Sequence, residues 1–189
     1  VGDVTRLDVA IDAALLLGAL VARAGDRVAL IAHDRVPRAS VDAGTRSDVL
    51  PQLVNAMTPL EPALLESDAA AMVAAVVRRE RHHALVVLFT ELNSATVEES
   101  LLPAIGQLGR RHTVLLAAVS DPTVAAMSRQ RGDAESVYAA AAAARALAER
   151  ARLTTALRDR GVTVVDAAPS EFAPAVADAY LSLKAAGRL

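Results

Sequence analysis

The run VVLFTEL, residues 86 to 92, is apolar until it stops at Thr90 and Glu91. A buried strand ending on a hydroxyl and a carboxylate delivers oxygen donors to the carboxyl edge of a sheet, where open α/β proteins bind ligands. Other apolar runs end in the same way: His33 and Asp34 follow RVALIA, Ser120 and Asp121 follow HTVLLAAV, and Asp166 closes VTVV. Glu66, Ser67 and Asp68 lie on a loop that could reach the same edge. Converging oxygens suit a hard divalent cation such as Mg2+. Helix capping explains Asp68, Ser120 and Asp121 equally well. As an enzyme, the cluster would be a metal-dependent hydrolase or phosphoryl-transfer centre in which Glu91, Asp34 and Asp166 work beside a metal-bound water.

The remaining chemistry-bearing residues point elsewhere. His82, His83 and His112 fall in turns that precede strands, at the amino-terminal edge of the sheet and opposite the ligand edge, where structural or solvent roles are expected. The basic clusters RRER (78–81) and RRH (110–112) sit at helix carboxyl ends, where cations complement the dipole. With Phe 2, Tyr 2 and Trp 0, the chain lacks the stacking platform of a single-strand nucleic-acid binder, and Lys+Arg 20 against Asp+Glu 22 gives no global attraction to polyanions. There is no glycine-rich phosphate loop and no G-x-S-x-G elbow. Cys 0 removes disulfides and thiolate chemistry. No reaction is identified by the residues alone.

The elements that must carry these residues alternate between helix and strand. TRLDVAIDAALLLGALVARAGDR predicts a helix over about 5–24, with Leu7, Ile11, Leu15 and Gly18 on one stripe. RVALIAHD predicts a buried strand over 27–33, and VPRASVDAG an antiparallel hairpin partner at the sheet edge, because Pro37 cannot donate to a ladder. Helices are expected before and after HALVVLFTEL, HTVLLAAVSD and VTVVDA, three buried parallel strands. The long helix 134–160 is read with Val137, Ala141, Ala144, Leu147, Leu153 and Leu157 facing inward. The pattern is an α/β fold with a doubly wound, mostly parallel sheet flanked by helices and one antiparallel edge strand. The 189 residues are read as one domain, 1–189. Starting at Val1 rather than Met, the chain is expected to be the carboxyl-terminal part of a longer protein.

TRLDVAIDAALLLGALVARAGDRVALIAHD, LLESDAAAMVAAVVRRERHHALVVLFTEL, LGRRHTVLLAAVSDP and EFAPAVADAYLSLKAAGRL together resemble the carboxyl-terminal part of the bacterial domain of unknown function fifty-eight family. The resemblance implies a von Willebrand factor A-like, Rossmann-like fold with a metal-ion-dependent adhesion site on three carboxyl-edge loops. By this resemblance the third loop is Thr90 and Glu91, and the second carries Glu66, Ser67 and Asp68, which gives Thr90, Glu91, Ser67 and Asp68 as candidate Mg2+ ligands. The first loop, D-x-S-x-S, and the central strand before it would precede Val1 and are missing from this chain. Glu91 stands where the family's pattern has aspartate, and Leu92 and Asn93 replace a small turn. The site expected is therefore degenerate, with either no cofactor or Mg2+.

The activity implied is that of a non-enzymatic interaction module. The resemblance suggests an adaptor or assembly partner of a MoxR-type AAA+ ATPase or its clients, working through a face that carries Asp34, Glu66, Asn93 and Asp121. It also implies a cytoplasmic domain of a membrane-anchored protein, with no direct membrane contact by the domain and no nucleic-acid partner.

Overall fold

The computed structural model describes residues 4–42, 48–63, 67–93 and 95–189. Three parallel strands, β3 (Leu85–Phe89), β4 (Thr113–Val119) and β5 (Thr163–Ala167), form one sheet in the order β3-β4-β5. β4 lies in the middle and is buried along its whole length. It has no polar face because helices cover both sides of the sheet, which is why its sequence is a continuous apolar run.

The pleat of β4 divides the core. Val114, Leu116 and Ala118 meet α3 (Ala69–Arg79), the Ala95–Leu101 π-helical segment, α4 (Leu102–Leu108) and α6 (Ala134–Arg158), through Val73, Val97, Leu101, Ile105, Leu108, Leu153 and Leu157. Leu115, Ala117 and Val119 meet α1 (Arg6–Arg23) and α7 (Pro169–Ala185), through Val9, Ala13, Leu17, Phe172, Val176 and Tyr180. Phe89 and Phe172 add an edge-to-face contact with centroids 6.1 Å apart. The π-helical winding gives way to α4 at Leu102, so Pro103 lies in the first turn of α4, where its missing N–H is tolerated.

The hairpin departs from the expectation of one continuous sheet. β1 (Leu30–His33) and β2 (Pro37–Val41) form a separate two-stranded antiparallel sheet, and among the described residues no ladder joins β1 to β3. Pro37 sits opposite His33, where the register shifts, as its missing donor requires. The hairpin packs with α2 (Val49–Met57) against Ala22, Ile11, Ala14 and Leu15 of α1. That second contact explains why α1 is apolar on two faces. The Leu7–Ile11–Leu15 stripe leaves its residues half-buried, whereas Val9, Ala13 and Leu17 go deepest, toward the main sheet.

α3 relates the two sheets. The Asp68 backbone N–H, at its start, donates to the Asp34 carbonyl at 2.9 Å, just past the end of β1. At its last residue, Arg79 bonds Ser40 and Asp42, beside the start of β1. α3 then leads into the start of β3.

The inner stripe of α6 also needs correction. Val137, Ala141 and Ala144 are exposed, and Ala140, Ala143, Leu153 and Leu157 are buried. An alanine run has the same hydrophobicity on every face, so periodicity could not phase the first half of the helix. None of the described helices is long and apolar enough to cross a membrane.

Candidate functional site at the carboxyl edge

Several oxygen-bearing residues predicted for this edge have local duties. Asp68 is the N-cap of α3 and accepts from the Ala71 N–H at 2.8 Å. Asp121 caps α5 (Pro122–Met127), accepting from the Thr123 N–H at 2.8 Å, and this bond holds its carboxyl below the usual range. Asp34 accepts from the Val36 N–H at 3.0 Å and from Arg38 Nε at 2.6 Å, and these likewise lower its pKa. Ser67 is exposed, and Glu66 lies outside the described residues.

Thr90 extends the main ladder by one bond, its N–H donating to the Ala117 carbonyl at 3.1 Å. Glu91 then turns outward and pairs with Arg6, while Asn93 Nδ2 lies 3.4 Å from its other oxygen. Arg6 also adds its positive charge to the field at Asp121. Sequence reasoning missed Arg6, although one signal was present: a cation in the first turn of a helix opposes the dipole, so its position asks for an acidic neighbour. The ends of the Arg6–Glu91 pair are 43% and 54% exposed, which places it among pairs that contribute about 0–1 kcal/mol. Chemical denaturation of Arg6→Ala should therefore shift stability by less than about 1 kcal/mol.

Asp166 is held differently. Arg150 grips it with two bonds, Nε to Oδ2 at 2.7 Å and Nη2 to Oδ1 at 2.8 Å, and Nη2 also reaches the Val119 carbonyl at 3.1 Å. Its carboxylate is directed along the sheet toward α6. His33 Nδ1 lies 2.7 Å from the Asp34 carbonyl.

Mg2+ needs several oxygens free to converge. Among the described residues no three His, Asp or Glu side chains group closely enough to hold a metal ion. No reaction step is assigned through a metal at Thr90, Glu91, Ser67 and Asp68. What the edge presents is a rim of carboxylates, Asp34, Asp68, Glu91 and Asp121, interrupted by Arg6 and Arg38.

The opposite edge holds the histidines. His82 and His83 are exposed, whereas His112 is 4% exposed and neither ring nitrogen has a hydrogen-bond partner. Burial pushes its pKa below 6.5, with Glu80 opposing and His83 and Arg111 reinforcing the shift. As pH falls through about 6.5 the unfolded chain takes up a proton that the folded chain resists, so stability falls until the folded-state pKa is passed. Ordinary carboxylates titrate lower, near 4. Denaturant titrations between pH 7.5 and 5.5 should show this loss, and His112→Leu should flatten it.

No curated protein and no solved structure matches the chain. Residues 2–161 match the family described as Protein of unknown function DUF58. That match takes in the whole carboxyl-edge rim, both helices beside the hairpin and two of the three parallel strands, with β5 and α7 lying beyond it. The chain belongs to the DUF58 family.

Proposed function

We propose that this domain is a non-enzymatic protein-interaction module, von Willebrand factor A-like in architecture, serving a MoxR-type AAA+ ATPase or its client proteins as adaptor or assembly partner. Its contact face is the carboxyl edge. The observation that carries the reading is the divided sheet: β1 and β3 are both tied to α3, and each keeps one edge unpaired among the described residues. A parallel strand ahead of Thr5 would join them. It would end beside Glu91, because Arg6 at the start of α1 pairs with that residue. This is the position that the resemblance gives to the central strand and its D-x-S-x-S loop.

On this reading the carboxylate rim completes its surface only with the upstream loop. Mg2+ enters only if that loop adds oxygens to Thr90, Ser67, Asp68 and Glu91. Membrane anchoring of the whole protein, with this domain in the cytoplasm, belongs to the same proposal.

Affinity capture tests the partnership. The domain, extended by its natural upstream residues, should enrich the MoxR-type ATPase encoded beside it when nucleotide and magnesium are present. Absence of enrichment under every nucleotide condition would count against the adaptor role.

A further inference from the structure

At the amino-terminal edge of the main sheet, away from the carboxylate rim, a recess of about 320 Å³ opens between the start of β4 and the turns that end α4 and α6. His83, His112, Thr113, Arg160 and Arg188 are among the residues that line it, and no carboxylate does among the described residues. We propose that this recess binds a small phosphate-class oxyanion, with His112 at its wall and Arg160 and Arg188 as the charged donors.

Three observations carry this. First, His112 is buried with both ring nitrogens unpartnered. A buried polar group left without a partner is costly, and the His112 ring lies in the wall of the recess with both nitrogens closed to solvent. Second, the positive charge exceeds what helix capping uses. The carboxyl ends of α4 and α6 bring partial negative charge here, and Arg160 answers it by donating from Nη1 to the Ala156 carbonyl at 2.7 Å. Among the described residues no acceptor engages the Arg188 guanidinium, although the Arg188 carbonyl is fixed in place by Thr113 Oγ1 at 2.7 Å. Third, the surroundings are basic on several sides: Arg81, Arg110 and Arg111 flank the recess in sequence, with Glu80 as the nearby acid acting on His112. Thr113 Oγ1 also lies 3.4 Å from His83 Nε2, which holds the second imidazole at the mouth. Donors from two arginines and the His83 imidazole, with no acid in the wall among the described residues, match an anion with several equivalent oxygens.

The test is a titration of the histidine ring resonances of the isotope-labelled domain with inorganic phosphate near pH 6.5, against sodium chloride at equal ionic strength. Phosphate should move the His83 and His112 signals saturably, leave His33 unmoved, and raise the melting temperature as a ligand of the folded state does. Arg160→Gln with Arg188→Gln should weaken the midpoint at least about tenfold. Arg188→Gln alone alters only an exposed side chain and should weaken it measurably if the double variant does not fold. Shifts no larger than those from chloride, or an unchanged midpoint in a folded Arg188→Gln variant, would overturn the assignment.

Discussion

Replacing Leu116 with alanine should destabilise the domain by about 2–5 kcal/mol, the largest effect expected of any single substitution considered. Leu116 is fully buried at the centre of β4, the middle strand, and its side chain enters the cluster built from α3, α4 and α6. Truncation removes the transfer free energy of its apolar atoms and leaves a cavity that neighbours on both flanking strands cannot close without breaking register. Denaturant unfolding would show a lower midpoint at unchanged slope. A cost under about 1 kcal/mol would mean that the three-stranded sheet is not the core of the fold.

Asp166→Ala should cost about 1–3 kcal/mol, because it strands a partly buried guanidinium. The Arg150 and Asp166 side chains are 19% and 25% exposed, so solvent screens the pair only in part. With the carboxylate gone, Arg150 keeps the Val119 carbonyl and loses two charge-assisted bonds. Adding Arg150→Leu should return part of the loss, since the double variant leaves neither charge unpaired. The full cycle measures the coupling, and additive effects would show that the two-pronged contact carries no net stability.

The same pair illustrates what a sequence can convey. Asp166 at the end of VTVVD reads as an oxygen donor to an edge, and its neighbour sixteen residues earlier in α6 gives no pattern that would reassign it. Parallel strands were legible because burial on both faces leaves an unbroken apolar run, as in TVLLAAV. Caps were legible because they are local: Asp68 and Asp121 each accept from an N–H two or three residues ahead. The separation of the hairpin from the main sheet was not, because its strands read alike whether or not another strand lies between. Arg6 meets Glu91 across 85 positions, and only the unfavourable placement of a cation at a helix start hinted at a partner. The depth of His112 was likewise hidden, since a turn histidine followed by a buried strand reads as solvent-facing until the helices around it are placed.

The carboxyl edge and the amino-terminal edge thus differ in charge and in chemistry, one a rim of capped carboxylates and the other a basic recess. If the domain is an adaptor, only the first should matter for the ATPase. Charges at a contact rim act mainly on association and orientation, so reversal there is a sensitive probe.

The most direct measurement is a binding isotherm between the upstream-extended domain and a MoxR-type ATPase, the partner proposed above, run in parallel with Glu91→Lys at the carboxyl edge and Arg188→Glu at the opposite one. The account predicts saturable binding that Glu91→Lys weakens about tenfold or more and Arg188→Glu leaves unchanged. Absence of binding by the folded wild-type domain, or equal losses from the two substitutions, would contradict it.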